Sequence, residues 1–109
     1  MIIVLARIDV APGRRADFLA EFHRLMPLVH AEAGCLEYGP AMDATTDLSK
    51  QQRLGDDVAM IVEKWESLDH LKAHLVAPHM TGYRERVKDI VVGTQLFVLD
   101  PTADGRVTG

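Results

Sequence analysis

Several features that mark other classes of protein are scarce in this sequence. A single cysteine, Cys35, excludes an internal disulfide and suits a reducing compartment. No apolar run approaches the roughly 20 residues needed to span a bilayer, and residues 1–10 lack the charged start and cleavage site of a secretion signal. With 12 basic residues and a net charge of −4, the chain has no electrostatic footprint for nucleic acid. We therefore expect a cytoplasmic protein that binds neither membranes nor nucleic acid.

The length and composition allow one hydrophobic core. Of the 109 residues, 48% are hydrophobic, which is enough for one small domain that leaves a large share of its surface exposed. We assign this domain to residues 1–100 and expect residues 101–109 to be a polar tail, because they carry no packing signal. Residues 45–57 are polar and aperiodic, so we predict a long hairpin loop inside the domain.

Hydrophobic periodicity predicts the regular elements. Strands are predicted where apolar and β-branched residues cluster or alternate, at residues 2–10, 35–44, 58–65 and 93–99. Helices are predicted where apolar residues recur every three or four positions, at residues 14–33, from Leu68 to Pro78, and at 81–91. Ser67 is expected to cap the second helix, and Gly34 to end the first.

The order strand, helix, strand, strand, helix, strand predicts an α+β fold of the ferredoxin-like type. In this βαββαβ arrangement the sheet is antiparallel and the helices lie on one side of it. Both faces of the sheet are apolar, since Ile3 and Leu5 alternate with Val4 and Ala6 in the first strand. The helices can cover only one face, and a bare apolar face of that size would be an association site. We therefore predict a homodimer packed sheet against sheet.

Most of the candidate chemistry lies between Val58 and Tyr83. The alternation of a strand places Glu63 on the same face as Trp65. In the helix that follows, His74 lies three residues after Leu71, at the edge of the apolar stripe. A strand that ends in a carboxylate and a tryptophan, next to a helix that carries a histidine, could form two walls of a pocket.

Three segments at these spacings carry a family resemblance. Residues 32–38 (EAGCLEY), 63–65 (EKW) and 71–79 (LKAHLVAPH) together resemble the antibiotic biosynthesis monooxygenase family of dimeric α+β barrels, which includes quinol and anthrone monooxygenases. The resemblance extends over residues 1–99 in the order of elements. It implies a cavity between the helices and the sheet of each subunit of a homodimer. It also implies oxygenation of a small electron-rich aromatic substrate by dioxygen, without a metal or flavin cofactor.

The same resemblance implies roles for particular side chains. His74 is expected to be the base or an orienting hydrogen-bond donor, and Trp65 a wall on which a flat substrate stacks. The predicted catalytic residues are therefore His74, Trp65 and His79, and the predicted substrate-binding residues are Glu63, Tyr83 and Tyr38. Residues 45–57 lengthen a hairpin that is usually short in the family, so this loop could cover or narrow the mouth of the pocket.

Simpler roles stay open for several of these residues. Trp65 could be a core residue, and His74 a purely structural histidine. Glu63 could form an ion pair with Arg7 or Lys64 instead of standing alone on an apolar face.

Other activities also stay open. His70 and His74 are four residues apart, which suits a metal site with His79 or Glu63, but no Cys or Asp cluster supports one, so we expect none. A non-catalytic ligand-binding dimer and an isomerase are both compatible with the same cavity. A haem-degrading relative is a further alternative, although its usual asparagine on the first strand falls on Ala6 here.

Overall fold

The chain folds into strands and helices in the order expected from the sequence. The structure, a computed structural model, describes residues 1–107. Its elements are β1 Ile2–Val10, α1 Arg15–His30, β2 Cys35–Ala41, β3 Val58–Trp65, α2 Leu68–Leu75, α3 Pro78–Val87 and β4 Val91–Leu99. The four strands form one antiparallel sheet in the order β2-β3-β1-β4, which is the ferredoxin-like arrangement.

Some element boundaries differ from those expected. Helix α1 ends at His30, three residues earlier than predicted, and Gly34 (φ 79°) closes the turn that follows. Helix α3 spans Pro78–Val87 and not the predicted 81–91. It begins at Pro78 because a proline fits the first turn of a helix, where its missing N–H would be unpaired. Strand β4 begins at Val91, two residues earlier than predicted, because Val91 pairs with Val10.

The turn into α2 matches its predicted cap. The hydroxyl of Ser67 accepts a hydrogen bond from the backbone N–H of His70 at 3.2 Å, as an N-cap does. The backbone N–H of Glu66 donates to the carbonyl of Gly34 at 2.9 Å and so ties this turn to the end of α1. These two bonds place the first turn of α2 above the end of β3.

The helix side of the sheet forms the core, as its alternation predicted. The residues of β1 and β3 that face the helices are buried, namely Val4, Ala6, Ile8, Ala59, Ile61, Glu63 and Trp65. On the opposite face Ile3 and Leu5 are half-buried, and Phe97, which pairs with Leu5, is 48% exposed. The outer face is therefore apolar, as expected, and its packing against a second subunit stays a prediction.

The segment between β2 and β3, residues 42–57, has no helix or strand. It includes the predicted loop 45–57, but β2 ends at Ala41, three residues earlier than predicted. The carboxylate of Asp43 accepts hydrogen bonds from the backbone N–H groups of Leu54 and Gly55, both at 2.9 Å, and so joins the two ends of the loop. Residues 101–107 are mostly exposed, and the last two residues of the predicted tail lie outside the described part of the chain. Within residues 1–107, no helix is long and apolar enough to cross a bilayer.

Candidate active site

A cavity of about 320 Å³ lies between the helices and the inner face of the sheet. This volume lies at the lower end of the range of small-molecule pockets, which is roughly 300–1,000 Å³. Most of its wall is apolar, from Ala6, Ile8, Phe22, Ile61, Leu75, Met80, Val87, Val91 and Leu96. The polar side chains that line it are Tyr38, Glu63, His74, Tyr83 and Thr94, with Arg84 and Lys88 at the rim. The predicted pocket between strand β3 and the helix that follows is therefore present.

Within residues 1–107, the buried carboxyl group of Glu63 has no cationic partner. It is 6% exposed, and its Oε1 accepts a hydrogen bond of 3.0 Å from the indole N–H of Trp65. The suggested ion pair is wrong, because Lys64 pairs with Glu37 and Arg7 pairs with Asp9 on the opposite face of the sheet. Burial raises the pKa of Glu63 to about 7, the indole bond opposes this shift, and the negative charge of Glu32 adds to it.

His74 lies on the inner side of α2, where Leu71 and His74 are the buried residues of the helix. Its side chain is 2% exposed, and its Nδ1 lies 2.8 Å from Oε2 of Glu32. Burial lowers the pKa of His74, and the hydrogen bond and charge of Glu32 oppose that shift. A lowered pKa keeps the imidazole neutral near pH 7, which is the form that can accept a proton.

Glu32 joins two histidines that both lie far from it in the sequence. The same Oε2 atom that contacts His74 lies 2.9 Å from Nε2 of His79, at the start of α3. Glu32 itself lies in the turn after α1 and is 13% exposed. Sequence reasoning missed this residue as part of the site, because its two contacts cross 42 and 47 positions of the chain.

Trp65 and His79 do not line the cavity, so the prediction that Trp65 forms its stacking wall is wrong. Trp65 is fully buried behind His74, with 4.6 Å between the ring centroids, because the end of β3 passes beneath α2. The aromatic wall is formed instead by Tyr38, which stacks on Phe22 at 5.1 Å between the centroids. Trp65 acts on the cavity through its hydrogen bond to Glu63.

Four polar residues of the cavity, Tyr38, Glu63, His74 and Tyr83, each keep a polar atom for a ligand. Among residues 1–107, no fully buried side-chain nitrogen or oxygen lacks a hydrogen-bond partner. Within that range the side chains of His74 and Glu63 bond to Glu32 and Trp65 through Nδ1 and Oε1. Their other polar atoms, Nε2 and Oε2, therefore keep accessible surface, and so do the hydroxyls of Tyr38 and Tyr83. The surface that these four residues share is the cavity.

The rim of the cavity is positively charged on the α3 side. Arg84 and Lys88 line it there, with Arg84 donating to the carbonyl of Leu75 at 2.8 Å. No residue of the 42–57 loop lines this cavity, so the expected narrowing of its mouth by that loop is not seen in the single chain.

The suggested metal site does not form among these histidines. His70 bonds to Ser67 at 2.7 Å through its Nδ1, and its ring packs against Gly34 instead of turning towards His74. Within residues 1–107, no group of three or more His, Cys, Asp or Glu side chains is arranged to hold a metal ion.

Comparisons with known proteins identify relatives of this chain. The family described as antibiotic biosynthesis monooxygenase matches residues 1–86. "Probable quinol monooxygenase YgiN" of Escherichia coli strain K12 is 40% identical over 103 residues, which cover 93% of this chain and 98% of that protein. Among solved structures, PA3566 of Pseudomonas aeruginosa has a TM-score of 0.77 at 22% identity, with 94% of each chain covered. Rv0793 of Mycobacterium tuberculosis also has a TM-score of 0.77, at 23% identity, with 96% of this chain and 98% of that one covered. At such identities the two structures show the fold alone.

Proposed function

Because the chain belongs to the antibiotic biosynthesis monooxygenase family and is a monooxygenase, we propose that it oxidises a small electron-rich aromatic of the quinol, naphthol or anthrone type. Dioxygen is the co-substrate, and we propose that no metal or flavin takes part. The observation that supports this best is a buried histidine that lines a cavity of about 320 Å³ beside the stacked ring of Tyr38. The name of the Escherichia coli relative points to the same class of substrate.

The reaction needs a base in a site that excludes water. In the proposed first step Nε2 of His74 removes a proton from a hydroxyl group of a quinol or from the acidic CH₂ of an anthrone. The resulting anion is electron-rich enough to pass one electron to dioxygen, which gives a substrate radical and superoxide. The apolar walls around Ile61 and Met80 keep water from this pair.

The later steps return the proton and release water. Recombination of the radical pair forms a carbon–oxygen bond, and the peroxide takes up the proton held by His74. Loss of the remaining C–H proton then breaks the O–O bond, and a carbonyl group and one water molecule are formed. For an anthrone the balance is one dioxygen consumed, one CH₂ converted to C=O and one water released. Glu63, Tyr38 and Tyr83 offer hydrogen bonds to the substrate oxygens throughout.

Oxygen uptake tests this proposal directly. The purified, chelator-treated protein is mixed with hydroquinones, naphthols and anthrones of increasing ring number, and uptake is measured alongside product analysis. We expect uptake above the autoxidation rate, with one carbonyl formed per dioxygen consumed. Binding of these compounds without uptake would contradict the proposal and favour a ligand-binding protein. A Soret band on titration with haemin would favour the haem-degrading alternative.

The His74→Ala variant tests the role of the base. Loss of a general base costs typically about 10²–10⁴-fold in turnover, and we expect a fall in this range while the fold is retained. Unchanged turnover would remove His74 from the mechanism.

We also propose that the protein is a homodimer packed through the outer face of the sheet. The exposed or half-buried residues Ile3, Leu5, Phe97 and Leu99 form an apolar surface there that the helices of one chain cannot cover. Light scattering at micromolar concentration is expected to give twice the mass of the chain. A monomer at that concentration would contradict this proposal.

A further inference from the structure

The contact between Glu32 and two histidines is the polar cluster that the proposed chemistry does not yet use. One oxygen atom, Oε2 of Glu32, lies 2.8 Å from Nδ1 of His74 and 2.9 Å from Nε2 of His79. The three side chains come from three separate places in the fold: the turn after α1, the inner face of α2 and the first turn of α3. Among them, only His74 lines the cavity.

The chemistry of a carboxylate determines which nitrogen of His74 carries the proton. An ionised carboxylate has no proton to donate and can only accept hydrogen bonds. Both imidazole nitrogens that face Oε2 of Glu32 must therefore be N–H donors. In a neutral imidazole one nitrogen carries the proton and the other has the lone pair. With its proton on Nδ1, His74 has its lone pair on Nε2, the nitrogen that keeps accessible surface beside the cavity.

We infer that Glu32 is the positioning residue of this site, because it holds His74 in the Nδ1–H tautomer with Nε2 directed at the substrate. His79 donates to the same oxygen and so keeps the carboxylate in place. This inference rests on the proposed function, in which His74 is the base. It adds that the tautomer and orientation of the base are fixed by Glu32, a residue that does not line the cavity.

Charged and titratable groups surround this cluster on several sides. Arg84 and His79 act on His74 from α3, and Glu63 on β3 lines the same cavity. The ring of Tyr38 on β2 faces the ring of His74, with 5.2 Å between the two centroids. Only Glu32 makes a direct side-chain hydrogen bond to His74 among residues 1–107. Removal of Glu32 therefore removes the one contact that distinguishes the two tautomers.

The tautomer itself is the first measurement. Long-range ¹H–¹⁵N correlation spectra of the wild-type protein at mildly alkaline pH report which ring nitrogen of each histidine is protonated, and the spectrum of His74→Gln identifies the signals of His74. We expect a protonated Nδ1 and an unprotonated Nε2. A proton on Nε2 in the wild-type protein would overturn the inference, whether or not the protein oxidises quinols.

Two variants then test whether positioning matters for turnover. Glu32→Gln keeps the shape of the side chain, but its amide can offer either an N–H or a C=O group to Nδ1, so the preference for one tautomer is lost. We expect the Nε2–H form to appear, and kcat to fall by about 10–100-fold, the range known for residues that orient metal-bound histidines, with a smaller change in KM. His79→Leu leaves Glu32 in place but removes one of its two hydrogen-bond donors, and we expect a smaller loss of kcat than in Glu32→Gln.

Glu66→Gln is the matched control, because it removes the same charge from an exposed position near the start of α2. We expect it to keep both the tautomer and kcat of the wild-type protein. A Glu32→Gln variant with wild-type tautomer, or with wild-type kcat, would overturn the inference. If Glu32→Gln does not fold, the wild-type tautomer together with the His79→Leu kinetics decides it. If the wild-type protein consumes no oxygen, the proposed function fails, and the tautomer still shows whether Glu32 positions His74.

Discussion

The buried carboxyl of Glu63 makes the stability of the fold depend on pH. Its pKa is raised from 4.5 to about 7 in the folded protein, chiefly by burial. Between those two values the folded state binds more protons than the unfolded state, so stability decreases as the pH rises. The stability that depends on a protonated Glu63 is fully present below the pKa of this group in the unfolded chain. It is lost as the pH rises through the pKa of the group in the folded protein. Because a tenfold change in proton affinity corresponds to about 1.4 kcal/mol, the free energy of unfolding should fall by about 3 kcal/mol across this window.

Replacement of Glu63 by Gln removes the titrating group with little change in shape. The amide oxygen can still accept the hydrogen bond from the indole of Trp65, which in the wild-type protein is 3.0 Å long. We therefore expect Glu63→Gln to be more stable than the wild-type protein at pH 8. This advantage should shrink by about 2–3 kcal/mol between about pH 8 and about pH 5.

Urea unfolding at several pH values measures this difference. Trp65 is the only tryptophan, so its fluorescence reports on the hydrogen-bonded pair itself. Protein concentration is held constant, because association would add its own contribution to stability. Glu66→Gln, at an exposed position, should follow the wild-type curve. A constant difference between Glu63→Gln and the wild-type protein at every pH would refute the reasoning.

Three further predictions concern other parts of the fold. Gly34→Ala should lower the free energy of unfolding by more than the roughly 1–2 kcal/mol of a left-handed residue, measured by urea unfolding, because its Cβ would lie 2.3 Å from Cγ of His70. Trp65→Phe removes the indole donor, so the pKa of Glu63 should rise further, measured as an upward shift of the pH at which stability is lost. Phe97→Lys places a charge on the outer sheet face and should give a monomer by light scattering, while Leu48→Lys, on the exposed loop, should not. A stable Gly34→Ala variant, an unshifted stability profile, or a dimeric Phe97→Lys variant would each contradict the corresponding prediction.

The elements could be predicted because local signals specify them. The β-branched alternation of β1 and β3 shows which residues share a face, and Ser67 marks the start of α2. The boundaries were less predictable at α1 and β4. Where a helix ends or an edge strand begins depends on which partner each backbone group meets, as for Val91 with Val10.

The position of Trp65 shows the limit of such patterns. Strand alternation placed Trp65 and Glu63 on one face, which is confirmed. Alternation does not say how deeply a side chain lies beneath the helix that covers that face. Trp65 is covered by α2 and His74, whereas Glu63, two residues earlier, reaches the cavity.

The sequence by itself therefore determined the fold class, the inner and outer faces of the sheet, and four residues that line the cavity: Tyr38, Glu63, His74 and Tyr83. These follow from local periodicity and from a family resemblance spread along the chain. Only the tertiary structure decided that Glu32 meets His74 and His79. No local pattern relates residues 42 and 47 positions apart, so such a contact exists only once the turn after α1 and the two later helices have packed together.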